Sequence, residues 1–376
     1  MKKIINGLAY FSLLIAFIIG LWADKTKNEL NGLAYLSTHK LSLGEAHDGV
    51  YPLLKKGELA GYLALGEAQG YGGPLQIVVI TDTTALVKET IVYQAFETPS
   101  FLAKLHSNKF FQQFTDKPAS ASFVFGEDIQ GVTGATISSR AINEATRKAA
   151  HIIASEQFKI EVAPVVKQWS LSYLDGIIAL ILITGIFLSY KRIRKIRTIN
   201  LGLGIVFIGF VLNASLSLTH FGRLFLGYFP DIHTHLSWWL LLLGTISILV
   251  INGKNIYCNS ICPFGATQML LHQISGINLK LKPQVMKRLS QTPYILLWLA
   301  LMLTFLSRNP SIASYEPFAM LFSLDGVGIQ WYILPAALLG ALFVSNFFCR
   351  FFCPVGGMFR WINKTRTFFI GLIPGK

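Results

Sequence analysis

Four cysteines and one threonine carry the chemistry of this sequence. Cys258-x3-Cys262-Pro263-Phe264-Gly265 and Cys349-x3-Cys353-Pro354-Val355-Gly356 are two copies of one motif, and they use every cysteine in the 376-residue chain. A spacing of i and i+4 puts two thiols on one helical face, and two such pairs supply the four thiolates of an iron-sulfur cluster. The same four ligands suit a closed zinc site, and free thiols are a third reading. The threonine is Thr136, in GVTGATISSR at 131–140. Gly131, Gly134 and Ala135 let a backbone come close to a bulky ligand, and Ser138 and Ser139 stand where a helix would start. Ala141, Ile142, Ala145, Ala149, Ile152 and Ile153 recur at helical spacing. Thr136 is therefore expected just ahead of a helix N-terminus, a favourable place for a phosphate, although an ordinary turn and cap would read the same way.

Composition says what must position these residues. With 52% hydrophobic and 14% charged residues, the chain is too apolar for two or three compact soluble domains. Six apolar runs, at about 7–23, 173–190, 200–218, 236–251, 291–307 and 330–348, each come near the ~20 residues that cross a ~30 Å hydrocarbon core. The net charge of +14 is not distributed as a nucleic-acid surface would carry it. Residues 24–170 hold 14 basic against 15 acidic side chains, whereas 191–197, 252–290 and the tail from Cys349 hold five basic residues each. The loops 219–235 and 308–330 hold one each, Arg223 and Arg308. That asymmetry follows the positive-inside rule and puts both termini in the cytoplasm. The expected fold is an α-helical integral membrane protein with six transmembrane helices and an inserted α+β extracytoplasmic domain. Residues 1–23 form an anchor and 24–170 the outer domain, its core at about 45–160 with strands at 75–81 and 122–125. Residues 171–376 form a five-helix membrane domain with both cysteine motifs at the cytoplasmic face, and the apolar tail at 367–373 is too short to span and is placed at the interface.

Taken in order, GYGGPL at 70–75, QIVVITD, ETP at 97–99 and TGAT at 133–136 resemble the FMN-binding domain of membrane redox proteins, whose flavinylation motif is roughly D-x-x-[ST]-G-A-[TS]. The resemblance implies that Thr136 carries FMN through a phosphoester installed by a separate flavin transferase. It implies that Thr133, Gly134 and Ala135 complete the motif, and that Gly72, Gly73, Glu97 and Thr98 stand against the flavin. Gln130 occupies the position of the family's Asp, with acidic residues displaced to Glu127 and Asp128. On the residues alone, ETP also reads as a helix opening, with Thr98 as cap and Pro99 in the first turn. An outward FMN-binding domain followed by five spans and two C-x3-C-P motifs is similar, over nearly the whole chain, to the NosR/NirI type of protein associated with periplasmic or exoplasmic respiratory reductases. This second resemblance implies a bacterial cytoplasmic membrane location and an extracytoplasmic redox partner. The chain is then a short form lacking the C-terminal ferredoxin module of larger members.

Together these readings make the chain an electron-transfer component rather than a stand-alone oxidoreductase, with covalent FMN outside and an iron-sulfur centre inside. Two centres at opposite faces of a ~30 Å core are too far apart for a direct step, so a quinone or another cofactor must intervene. The competing reading is a flavin-based redox sensor or maturation factor for a periplasmic reductase, and a third is a flavin-free scaffold whose TGAT loop only packs. His220, His233 and His235, near Arg223 and Asp231, read as interfacial polar residues, with a haem or metal site as the alternative. Asp175 reads as a solvated boundary residue or as a proton acceptor in quinol oxidation.

Overall fold

The computed structural model describes residues 2–23, 30, 33–97, 99–162, 172–191, 193–312, 315–326 and 328–371. The chain divides into two units, one of residues 18–167 with 227–230, the other of residues 1–17, 168–226 and 231–376. Helix α1 (Lys2–Ala23) opens the chain.

In the first unit, β1 (Leu41–Leu43), β2 (Val50–Lys55), β3 (Glu58–Gln69), β4 (Pro74–Thr81) and β5 (Val87–Ala95) form one antiparallel meander in chain order. Side chains alternate across it. Leu53, Leu63, Val78 and Ile80 share one face with Leu33 and Leu36, while the buried Ala64, Ile77 and Val79 occupy the other. That second face is covered by α3 (Thr136–Glu156), against which α2 (Pro99–Ser107) also packs. Both faces of β4 are thus buried, which explains its almost unbroken apolar run. Close approach of α3 depends on small residues: a Cβ on Gly66 of β3 would collide with the Ala145 carbonyl oxygen, and Ala145 and Ala149 are fully buried. Lys148 Nζ adds a hydrogen bond to Glu67 O at 2.9 Å.

The strand expected at 122–125 is not formed. Phe123 has φ +47°, Ser122 Oγ and Val124 N donate to Asp128 Oδ2 at 2.7 and 2.9 Å, and Asn143 Nδ2 donates to Phe123 O at 2.8 Å. Side chains have taken the backbone groups that a ladder would have paired. These short bonds hold the Asp128 carboxyl below its usual range, the Ser122 hydroxyl contributing most.

The second unit is helical. It contains α4 (Tyr173–Tyr190), α5 (Arg194–Leu203, continued as a π-helix over Gly204–Val211), α6 (Leu218–Leu226), α7 (Leu236–Asn252), α8 (Pro263–Ser275), α9 (Thr292–Ser307), α10 (Gln330–Phe343) and α11 (Pro354–Gly371). Of the six expected crossings, two helical stretches among the described residues, Tyr173–Tyr190 and Pro283–Ser307, are long and apolar enough to cross a bilayer; Gly7–Trp22, Leu236–Asn252 and Gln330–Phe343 are apolar but shorter. Outward residues such as Leu180, Ile183, Leu243 and Leu299 are exposed, so these helices are apolar on the outside as well as toward the core. Trp298 Nε1 of α9 donates to Ser12 Oγ at 3.1 Å and Trp361 Nε1 of α11 to Tyr10 Oη at 2.9 Å, which fastens α1 to the bundle.

The run at 200–218 is not one helix. It breaks at Asn213 (φ +47°), and residues 213–217 are irregular and buried. Asn213 N and Ala214 N donate to backbone carbonyls, while side chains take the next groups: Leu216 N donates to Tyr257 Oη at 2.7 Å and Leu218 N, opening α6, to Glu316 Oε1 at 2.8 Å. In the tail, residues 367–371 are the last turn of the 18-residue α11, and residues 372–373 lie outside the described residues. Asp175 caps α4, accepting from Ser172 N at 2.9 Å, and this local bond accounts for its position.

Candidate functional site

Each cysteine motif is a short helical turn followed by a proline-opened helix. Cys258 lies in the π-helical turn Tyr257–Ile261 and Cys262 directly precedes α8, whose first residue is Pro263. Cys349 lies in Phe347–Phe351 and Cys353 directly precedes α11, whose first residue is Pro354. Proline suits that position because its φ is preset and its missing N–H would have had no helical partner. The next free N–H groups then face sulfur: Gly356 N donates to Cys353 Sγ at 3.3 Å, and Phe264 and Gly265 donate backbone hydrogen bonds to Cys262.

The two motifs converge. A Cβ on Gly265 would stand 3.8 Å from both Cys262 Sγ and Cys349 Sγ, so glycine keeps the space between the copies open. Cys262 and Cys353 are buried, Cys258 and Cys349 partly so, within an aromatic wall in which Phe264 meets Phe318 and Phe348 at 5.0 and 5.5 Å. Tyr315 Oη donates to Phe352 O at 2.7 Å beside Cys353. Burial pushes the Cys258 thiol up to about 12, with the neighbouring Cys262 adding to it, and raises Cys349 and Cys353 well above the ordinary thiol range. Four thiolates here require a bound cationic centre to offset their desolvation. Among the described residues no three His, Cys, Asp or Glu side chains are gathered tightly enough for a single metal ion. Four cysteine sulfurs with N–H groups aimed at them are a donor set that fits an iron-sulfur cluster.

His220 and Arg223 are not interfacial as expected. They are 1% and 0% exposed, and His220 Nδ1 accepts from Ser217 N at 3.1 Å. Burial, then the adjacent Arg223 charge, lowers His220 to about 3, so it is neutral. Helix α6 carries both inward against Trp238, whose ring centroid is 5.9 Å from the His220 ring and 5.4 Å from Arg223 Cζ. His233, by contrast, pairs with Asp231 at 2.7 Å in a partly exposed turn.

In the other unit Thr136 is the first residue of α3, one position inside the helix rather than ahead of it, and its side chain is exposed. Gly134 before it has φ +80°, a conformation that favours glycine, and a Cβ there would lie 3.2 Å from Lys104 Nζ. An ammonium group and the open N–H groups of a helix N-terminus both attract a phosphate, so Gly134, Ala135 and Thr136 fit the phosphoester end of FMN. Ser138 and Ser139 belong to the first turn and face inward. Ser139 Oγ donates to Ala135 O at 2.9 Å and accepts from Val132 N at 3.1 Å, which shapes the loop. Thr133 is exposed in the turn before it.

Glu97 binds the parts together. Its carboxylate is 3% exposed and accepts from Tyr71 N at 2.6 Å, Gly72 N at 3.4 Å and Ser138 Oγ at 3.0 Å. The glycine-rich loop, with Gly72 and Gly73 buried, is thereby tied to the first turn of α3. Thr98 lies outside the described residues. Gln130 is held by its own loop, Nε2 donating to Gly126 O and Glu127 O at 3.2 Å each, while Gln113 bonds its backbone. Glu97→Leu leaves buried donors without an acceptor, and each costs roughly 1–3 kcal/mol. We expect a loss of about 3 kcal/mol in this unit, read as an earlier urea midpoint for proteolysis of the sheet region in the whole, detergent-solubilised chain. An unchanged midpoint would show that Glu97 is not a clamp.

Family models match the regions that contain the two candidate sites. The FMN-binding domain family matches residues 70–151, and the 4Fe-4S binding domain family matches residues 234–282 and 331–374, one segment for each cysteine motif. The regulatory protein NosR of Pseudomonas aeruginosa is 30% identical over 214 residues, covering 50% of this chain and 29% of NosR. Protein NirI of Paracoccus denitrificans is 26% identical over 197 residues, covering 46% of this chain and 28% of NirI. A component of the proton-translocating ferredoxin:NAD(+) oxidoreductase complex of Clostridium ljungdahlii is 31% identical over 104 residues, 26% of this chain and 56% of that component. The matches thus span less than a third of NosR and NirI. With an FMN-binding region, two 4Fe-4S binding segments and likeness to both NirI and NosR, the chain resembles NosR/NirI-type proteins.

Proposed function

We propose that the chain is an electron-transfer protein of the bacterial cytoplasmic membrane. It carries electrons to or from an extracytoplasmic FMN joined to Thr136 through a phosphoester, in the service of a respiratory reductase. The observation that carries this reading is the presence on one chain of an exposed threonine at a helix N-terminus inside TGAT and of four converging cysteines, two buried and two half-buried. When bound, FMN exchanges one or two electrons and an iron-sulfur cluster exchanges one. The chain supplies the rest. Lys104 and the first turn of α3 hold the phosphate end, Glu97 fixes the glycine-rich loop, and Cys258, Cys262, Cys349 and Cys353 hold the cluster away from water. We place six crossings at the apolar runs, with the FMN unit outside, the cysteine motifs toward the cytoplasmic side and a membrane quinone as the carrier between. A flavin transferase loads Thr136, and the electron acceptor or donor outside is a separate redox protein.

Proteoliposomes containing the flavin-loaded chain test this with a short-chain quinol. Flavin absorbance is expected to bleach within the mixing time of a turnover assay and to recover when an oxidant is added outside. Flavin that stays oxidised under quinol while dithionite bleaches it would rule the reading out. The relative NosR is by name a regulatory protein, which favours a second reading, a flavin-based redox sensor or maturation factor. A sensor would show slow, stoichiometric bleaching without turnover.

A further inference from the structure

We infer that Gln268 is a positioning residue that raises the reduction potential of the centre held by the four cysteines; the inference rests on the iron-sulfur reading above. Gln268, on α8, is 0% exposed. Its Nε2 donates to Cys349 Sγ at 3.1 Å, and its Oε1 accepts from Phe348 N at 2.9 Å. The second bond fixes the first. A backbone N–H can only donate, so the amide oxygen must face Phe348 and the NH2 group must face the sulfur. One side chain from the first motif thus anchors the backbone beside a ligand of the second and aims a donor at that ligand.

The duplication shows that the donor is a choice rather than a by-product of the motif. Gln268 lies six residues after Cys262, and the position six after Cys353 is Phe359, a 1% exposed ring packed on Tyr257 at 5.9 Å and Phe221 at 5.7 Å. A phenyl ring offers no N–H. The bond to Cys353 comes from the backbone of Gly356; Cys262 is bonded by the backbone of Phe264 and Gly265 and by the Tyr257 side chain, Cys258 by the Asn255 side chain, and Cys349 by the Gln268 amide. A donor to a ligand sulfur stabilises negative charge on it, and stabilises it more when the centre has gained an electron, so the potential rises.

Two variants separate tuning from anchoring. Gln268→Glu keeps an oxygen facing Phe348 N and puts an acidic oxygen in place of the N–H aimed at Cys349; Gln268→Met removes both bonds at similar length and adds no charge. The full-length protein would be reconstituted with iron and sulfide in detergent, iron per chain measured, and the midpoint potential followed by EPR. Wild-type iron content with a lower potential in Gln268→Glu is expected, the reduced-to-oxidised ratio at the wild-type midpoint falling about tenfold, or about 59 mV for one electron. The Fe–S(Cys) stretch in resonance Raman should also shift, and lose part of its deuterium sensitivity. Equal potentials in fully loaded wild type and Gln268→Glu would overturn the inference. So would loss of the cluster from both variants, which would make Gln268 a structural bolt. Failure of the wild-type chain to take up a cluster would instead sink the iron-sulfur reading beneath it.

Discussion

Thr136→Ala, expressed with a flavin transferase, is expected to leave no flavin on the denatured chain, whereas wild type should fluoresce in a denaturing gel and gain the mass of FMN less water. The effect should be all or none, because the neighbouring hydroxyls cannot take over. Ser138 is 1% exposed and bonded to Glu97, and Ser139 is 0% exposed and bonded to Ala135 O. Thr133 is exposed but lies in the turn before the helix, without the N-terminal N–H groups at its side chain. Thr133→Ala should therefore keep its flavin, and Thr136→Ser should keep it too. Fluorescence surviving in Thr136→Ala would remove the covalent site from this position. A Gln130→Asp variant restores the acidic residue of the related motif, and labelling faster than wild type would identify Gln130 as a brake on attachment.

Cys353→Ser is expected to abolish the iron-sulfur centre, with iron falling from the wild-type stoichiometry to background and the visible absorbance of the cluster lost. Each motif contributes two of four sulfurs, and among the described residues no other cysteine, and no gathered group of His, Asp or Glu, stands ready to replace one. Serine is a poorer ligand for iron in a buried apolar wall because its hydroxyl is far harder to ionise. The helical unit should still assemble, since its core is carried by residues such as Ile178, Leu242, Phe264 and Phe348. Equal zinc in wild type and no iron would replace the cluster by a structural metal site, and full iron in the serine variant would show that Cys353 is not a ligand.

How much was legible depended on how local the determinant was. Ala141, Ala145, Ala149 and Ile153 recur on one face, and α3 buries them all. The apolar run at 75–81 is β4 almost to the residue, because both of its faces are covered. The run at 122–125 misled because Asp128 and Asn143, from later in the chain, take its backbone groups. Hydropathy likewise could not show the break at Asn213, since the residues that rescue the exposed backbone, Tyr257 and Glu316, are 41 and 98 positions from their partners. His220 and Arg223 read as surface residues by type, and only the inward turn of α6 shows otherwise. Gln268 had no local signal at all. Its partner sulfur is 81 residues away, and only the six-residue offset from a Cys-Pro pair, glutamine in one copy and phenylalanine in the other, hinted that the copies differ.

The division of the four ligands between two distant motifs bears on biogenesis. The sheet unit is a meander whose strands pair in the order they are made, so its parts meet over short loops and it can fold as it emerges. Cys258 and Cys349 are 91 positions apart, and the aromatic wall that joins them needs residues from α8, the Phe318–Ser323 turn and the segment before α11. On the proposed reading, Cys258 and Cys262 would be without their two partner sulfurs until the chain through Cys353 has been made and packed. Incorporation of an iron-sulfur centre would then mark completion of the helical unit, and a chain stalled midway would offer iron only half a site.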